Sequence, residues 1–198
     1  MFFITFALYQ SQQMKIEIIS GSSRTNSVSK RVALHLFNTM KESSSHEIGL
    51  INMQEWDLPH IQSVFTSIEN TPAEFRPLSK RIFEADGFIL VSPEYNGSYS
   101  PAMKNLLDHF PKQQHKPFGI VTASPGAMGG IRAAQQMLLL VPALFGIASP
   151  YLLIVPLVDK KFNAKGELLD LSFQNTLHNF ITEYVWLAEN VVKVQEAA

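Results

Sequence analysis

The sequence predicts an α/β fold in which one five-stranded parallel sheet lies between two layers of helices. Three observations favour this fold. From Met14 onward, short apolar runs alternate with helical patterns. The run Gly87–Ser92 is almost continuously apolar, which is typical of a strand covered on both faces. The 198 residues, 46% of them hydrophobic, suit a single domain, and we expect it to cover residues 14–198 after an N-terminal extension of residues 1–13.

Each predicted element has a local signal. Apolar residues recur at helical spacing between Val28 and Met40, which indicates the first helix. Thr71, Pro72 and Glu74 have the spacing of an N-cap, a first helical position and a capping-box acid, and they indicate the start of the second helix. The predicted strands are Lys15–Ser20, Glu47–Asn52, Gly87–Ser92, 116–123 and 151–155, and the predicted helices are 27–40, 71–86, 100–109, 128–144 and 170–194.

This alternation predicts a three-layer sandwich with the flavodoxin-like strand order 2-1-3-4-5. In such sheets, ligands bind beyond the carboxyl ends of the strands, at the point where the direction of winding reverses. We therefore expect the loops after strands one, three and four to converge and to carry the functional residues.

The overall composition argues against several classes of protein. The formal net charge is −1, so no global field attracts nucleic acid or an anionic membrane. The chain has no cysteine, and none of its six histidines has HExxH spacing, so we expect no metal site. The apolar run from Phe2 to Tyr9 is shorter than the about 20 residues that a bilayer requires. It also lacks the basic start of a signal peptide, so we expect a cytoplasmic protein without a membrane segment.

The loop after strand one has the composition of a phosphate site. Residues 21–29 read GSSRTNSVS and lie between the predicted strand and helix. The N–H groups at a helix start carry partial positive charge, and serine hydroxyls can donate beside them. Arg24 adds a permanently charged, forked donor. We expect a phosphate to be held by Ser22, Arg24 and Ser27 and by the amides of Val28 and Ser29.

The other two loops suit a flat aromatic ring. The loop after strand three, SPEYNGSYSP, has a restricting proline and a central tyrosine, and the loop after strand four, SPGAMGG, has three glycines. A phosphate end with two such walls describes a site for flavin mononucleotide (FMN). Tyr95 could instead only pack against a neighbour, the glycines could only serve helix entry, and Glu94 could be solvated or bridge to a partner subunit.

Competing motifs have little support. The chain has no GxxxxGK[ST] sequence for a nucleoside triphosphatase, no GxGxxG after strand one, and no GxSxG for a hydrolase. A receiver-like signalling domain would need acidic residues at the end of strand one, where this chain has Ser20, Gly21 and Ser22. A flavodoxin-type electron carrier stays open, although such carriers have a strongly acidic docking face.

The three loops together resemble the NADPH-dependent FMN reductase family, which includes quinone, azo-dye and chromate reductases. The matching segments are GSSRTNS at 21–27, PEYNGS at 93–98 with PAMKNLLD at 101–108, and SPGAMGG at 124–130, in the same order and spacing. The resemblance implies a flavodoxin-like fold, bound FMN, and homodimers or homotetramers. The broad apolar stripe at residues 137–141 agrees with an oligomer interface.

These observations predict an FMN-dependent NAD(P)H oxidoreductase. Hydride would pass from NAD(P)H to FMN and on to a small acceptor such as a quinone, an azo compound, chromate or free flavin, and no side chain has to act as acid or base in the first of these steps. We expect Tyr95 and Asn96 to shape the acceptor pocket. The predicted cofactor-binding residues are Ser22, Arg24, Ser27, Val28, Ser29, Pro93, Glu94, Tyr95, Asn96, Gly97, Ser124, Gly126 and Gly129.

Overall fold

A parallel sheet lies between two helical layers in the computed structural model, which describes residues 13–196. Its strand order is 2-1-3-4, with two further short strands both paired to the fourth, so the predicted order is confirmed. The strands are β1 (Lys15–Ser20), β2 (Glu47–Asn52), β3 (Gly87–Ser92), β4 (Pro117–Ser124), β5 (Ile147–Ala148) and β6 (Leu153–Pro156). The α-helices are α1 (Ser29–Ser43), α2 (Arg76–Glu84), α3 (Pro101–Asp108), α4 (Ile131–Ala143), α5 (Val158–Lys161) and α6 (Gln174–Glu196).

The fifth position of the sheet is divided between β5 and β6, whereas the sequence predicted one strand over 151–155. Ser149 still donates its N–H to Phe118 O, at 2.8 Å. The next residue, Pro150, has no N–H to donate, so the pairing is interrupted there. It resumes at Leu153.

The predicted capping box at Thr71 is wrong. The Thr71 side chain is buried, and its hydroxyl donates to Ser67 O at 2.8 Å instead of capping a helix. A short 3-10 turn, Ala73–Phe75, precedes α2. A continuous helix would place Pro77 in its interior, where the ring would clash with the carbonyl of Ala73, so α2 begins at Arg76 with Pro77 in its first turn.

Two apolar clusters cover the two faces of the sheet. On one face, Phe88 and Phe118 stack at 5.2 Å between ring centroids, beneath α2, α3 and α4. On the other face, α1 and α6 pack over the strands, and Phe180 of α6 is fully buried. This double cover leaves only the strand ends open to a ligand. None of the helices within residues 13–196 is long and apolar enough to cross a membrane.

Glu17 is a charged residue near the start of the central strand β1, only 8% exposed. It is compensated by Arg81, whose Nε lies 2.8 Å from Glu17 Oε1 and whose Nη2 contacts the second oxygen. Gly49 on β2 leaves the space for this pair, because a Cβ there would overlap the Glu17 carboxylate. The paired arrangement makes the buried charge tolerable.

Lys116, next to β4, has a buried amino group whose effect on stability should depend on pH. Burial lowers the pKa of its amino group to about 8 from 10.5, although Nζ donates to Ile82 O at 3.3 Å. The unfolded chain therefore binds this proton more tightly than the folded chain. Below about pH 8 the charged Lys116 destabilises the fold fully, and this destabilisation decreases as the pH rises from about 8 to about 10.5.

Replacing Lys116 with methionine should therefore raise the free energy of unfolding at pH 7. The advantage over the wild type should shrink when urea unfolding is repeated at pH 10. Lys112→Met is the matched control, since Lys112 also bonds a carbonyl and lies over a phenyl ring, but on the exposed surface. If Lys116→Met raised the free energy of unfolding by the same amount at both pH values, the lowered pKa of Lys116 would be contradicted.

Candidate functional site

A cleft of about 710 Å³ opens at the carboxyl ends of β1, β3 and β4, where the three predicted loops converge. Clefts of about 300–1,000 Å³ are the usual size for small-molecule ligands. The cleft lies at the point where the winding of the sheet reverses. It is lined by Ser22, Arg24, Asn26, Ser27, Val28, Ser29, Pro93, Glu94, Tyr95, Asn96, Pro101, Ala123, Ser124 and Pro125.

Gly21 brings the first loop against α3. Its N–H donates to Val91 O at 2.9 Å, and a Cβ at this position would lie 2.5 Å from Met103 Cε. The Ser100 hydroxyl accepts the Met103 N–H at 3.2 Å, as an N-cap, and donates to Gly21 O. The loop that begins at Gly21 is thus fixed to β3 by a backbone hydrogen bond and to the start of α3 by the Ser100 hydroxyl.

Serine hydroxyls line the start of α1. Ser27 Oγ accepts the Lys30 N–H at 3.2 Å and lies 3.0 Å from Ser29 Oγ. The helix begins at Ser29, two residues later than predicted, and Ser27, which precedes the N-cap residue Val28, accepts one of the N–H groups of the first turn. Ser22 Oγ accepts the Arg24 N–H at 3.3 Å, which leaves its hydroxyl hydrogen free to donate. The helix start and these hydroxyls together form an arrangement that favours an anion.

Arg24 extends from this loop across the cleft. Its guanidinium carbon lies 4.5 Å from the centroid of the Tyr95 ring. Its carbonyl accepts a hydrogen bond from Gln54 Nε2, which ties the loop to the segment after β2. Within residues 13–196, no carboxylate forms an ion pair with Arg24. The positive charge is therefore available to a ligand.

Tyr95 is placed by a tight hairpin. The Tyr95 and Ser98 backbones exchange two hydrogen bonds, at 2.9 and 3.1 Å. Between them, Asn96 and Gly97 have φ values of 51° and 81°, the two left-handed residues of a type I′ turn. Gly97 lies outside the cleft lining, and its positive φ serves this turn.

The glycine-rich third loop packs on the protein itself. Gly129 has a φ of 61°, and a Cβ on it would lie 2.8 Å from Pro156 N and 2.7 Å from Ile154 Cγ2. The close approach therefore serves contact with β6. Gly126 and Gly129 both lie outside the cleft lining, and the wall on this side is formed by Ala123, Ser124 and Pro125.

Glu94 joins the second loop to α4, the helix that follows the third loop. Its Oε2 accepts the Arg132 N–H at 3.2 Å in the first turn of α4, and its Oε1 lies 3.6 Å from Arg132 Nη1. A carboxylate is stabilised at this end of a helix. The sequence left two roles open for Glu94, which were solvation and a bridge to another subunit. The bond to Arg132 within the chain is a further contact that the sequence did not predict.

Ten of the thirteen predicted residues line the cleft, and the exceptions are Gly97, Gly126 and Gly129. The sequence analysis missed four lining residues: Asn26, Pro101, Ala123 and Pro125. Asn26 and Pro125 lie inside the predicted loops and could have been included on that ground. In the sequence, Pro101 indicates only a helix start and Ala123 only the end of an apolar strand, so neither gave a signal for the cleft. No group of metal-ligating side chains occurs among the residues that the structure describes.

The fold and this cleft are those of a flavin-dependent oxidoreductase family. The family model described as NADPH-dependent FMN reductase matches residues 14–155, and the chain belongs to this family. By its description, the family agrees with the FMN cofactor and NADPH co-substrate that the sequence predicts.

Individual relatives agree with this membership. An FMN-dependent NADPH-azoreductase from Staphylococcus aureus is 30% identical over 186 residues, which cover 89% of this chain and 96% of the relative. A flavoenzyme NAD(P)H:(acceptor) oxidoreductase from Paracoccus denitrificans has a similar structure, with 22% identity and a TM-score of 0.75 over 89% of this chain and 98% of that one. An apo NADH:FMN oxidoreductase matches with 18% identity and a TM-score of 0.63, over 85% and 88% of the two chains. At these identities the two structures support the fold.

The residues of the cleft fit FMN. The hydroxyls, the start of α1 and the Arg24 guanidinium, which has no carboxylate partner within residues 13–196, lie together at the β1 side, as an anionic phosphate requires. The backbone of Pro93 and Asn96 and the wall at Ser124 lie on the β3 and β4 side, where a planar ring can be enclosed.

Proposed function

We propose that this protein is an FMN-dependent NAD(P)H oxidoreductase that reduces a small acceptor. The observation that carries the proposal is the convergence of a phosphate-type loop and two ring-enclosing loops on one cleft at the switch point of the sheet. The azoreductase name of the Staphylococcus relative supports an azo compound as the acceptor, and a quinone is a second candidate. Chromate and free flavin are further candidates.

In this proposal the chain binds and orients rather than performing proton chemistry. Ser22, Ser27, Ser29 and Arg24 hold the phosphate, and Pro93, Asn96 and Ser124 border the ring. Bound FMN supplies the capacity to accept a hydride and to pass on its electrons. Because the cleft is open on one side, nicotinamide and acceptor can occupy the same exposed face in turn.

We further propose a cytoplasmic homo-oligomer. On and after α4, Leu139 and Phe145 are exposed by 69% and 56%. Large apolar side chains left exposed in one stretch of the chain suggest a surface that contacts another subunit. Dimer and tetramer would be separated by the molar mass in solution, at protein concentrations that bracket the assay.

The proposal is tested by adding FMN to the purified protein and measuring NADH and NADPH oxidation with menadione as acceptor. We expect flavin absorbance that stays with the protein through gel filtration, and acceptor-dependent loss of the reduced nicotinamide. Flavin binding without nicotinamide oxidation would indicate a flavodoxin-type carrier instead. No flavin binding at all would contradict both functions.

A further inference from the structure

We propose that Tyr95 is a positioning residue for the phosphate end of the cofactor, acting through Arg24. The sequence predicts Tyr95 in the cofactor site and beside the acceptor, and Arg24 on the phosphate, as separate contacts. The contact of 4.5 Å between the guanidinium carbon and the ring centroid joins the two residues. This inference rests on the proposed FMN site.

Arg24 needs such a support because little else restrains its side chain. The backbone is held at both ends, by Ser22 Oγ at its N–H and by Gln54 Nε2 at its carbonyl. Arg24 is an exposed residue, and its side chain has no carboxylate partner within residues 13–196. A free arginine side chain loses rotamer freedom when it binds a ligand, and that loss weakens binding.

Tyr95 can provide the restraint because it is itself fixed. The two hydrogen bonds between Tyr95 and Ser98 close the type I′ turn, and the residue is half-buried in the cleft wall. The bond from Glu94 to the Arg132 N–H fastens the same hairpin to α4. The ring is therefore a stable platform that faces the first loop.

The chemistry of arginine makes a ring contact compatible with phosphate binding. A guanidinium attracts an aromatic ring through its face, whereas its N–H donors lie in its plane. An Arg24 side chain that lies over the Tyr95 ring can therefore keep its in-plane donors for a phosphate in the cleft that Ser22 and Ser27 also line. Tyr95 would raise phosphate affinity without touching the phosphate.

The test compares FMN with riboflavin, which has the same ring and no phosphate. We expect Tyr95→Leu to weaken FMN binding about 2- to 5-fold, the range for an exposed cation–π contact, with riboflavin affinity unchanged. Tyr95→Phe keeps the ring and should match the wild type. Both dissociation constants are measured by flavin fluorescence quenching on the full chain.

A second comparison isolates the route through Arg24. In an Arg24→Ala background, Tyr95→Leu should have no further effect on FMN affinity, since the coupled contact is already absent. Equal losses of FMN and riboflavin on Tyr95→Leu would overturn the inference and make Tyr95 a wall of the ring site. An unchanged FMN affinity in the Tyr95→Leu protein would also overturn it. Failure of the wild type to bind either flavin would instead contradict the proposed function.

Discussion

Replacing Arg24 with alanine should weaken FMN binding about 10- to 150-fold, because a hydrogen bond to a charged group contributes about 1.5–3 kcal/mol. Arg24 carries the expected phosphate contact whose charge has no carboxylate partner in residues 13–196. The remaining donors, the serine hydroxyls and the start of α1, should retain some affinity. The dissociation constant of FMN, measured by titration at low salt, checks this result.

Two comparisons make the Arg24 result specific. Riboflavin affinity should change little in Arg24→Ala, since the lost donors face the phosphate. Lys80→Ala removes the same unit charge from an exposed position of α2, outside the cleft, and should leave FMN affinity at the wild-type value. An FMN dissociation constant for Arg24→Ala within twofold of the wild type would refute the phosphate assignment.

Replacing Gly129 with alanine should destabilise the fold by about 2–5 kcal/mol. The left-handed backbone costs a non-glycine residue about 1–2 kcal/mol, and forcing a methyl group into packed structure costs about 1–3 kcal/mol. A Cβ at Gly129 would meet the backbone of β6 at Pro156 N, 2.8 Å away, where no side chain can move aside. The free energy of unfolding in urea measures this effect.

Gly126 offers a matched control in the same loop. A Cβ there would contact only Ser124 Oγ, at 3.4 Å, and its φ lies outside the left-handed region. Gly126→Ala should therefore keep the stability within about 1 kcal/mol of the wild type. Similar losses in both variants would show that the loop as a whole, rather than the approach to β6, limits stability.

Local sequence predicted the central elements well. β1, β2 and β3 have the predicted bounds, because each is a short apolar run that a polar or glycine residue ends. The split of the sheet edge into β5 and β6 depended on one missing N–H at Pro150, and α5 is too short to show a period. The predicted start of α2 was wrong for a related reason. The sequence pattern at Thr71 indicated a helix start, but Pro77 is tolerated only in the first turn of a helix.

The candidate site was likewise predictable only in part from the sequence. Serines and an arginine between a strand and a helix indicate an anion cradle from sequence alone, and Ser22, Arg24 and Ser27 do line the cleft. The roles of Gly129 and Glu94 were not predictable, since each contacts an element distant in sequence. The ring contact between Arg24 and Tyr95 likewise joins residues 71 positions apart, because two strands end side by side.

The bond between the Glu94 carboxylate and the Arg132 N–H has a mechanical consequence. It couples the hairpin to the first turn of α4 on one side of the cleft, and the serine-rich turn after β1 forms another side. That turn is tethered to the long segment beyond β2 by Gln54. Two of the walls of the cleft are therefore held in part by Gln54 and by the backbone of Arg132, neither of which lines it.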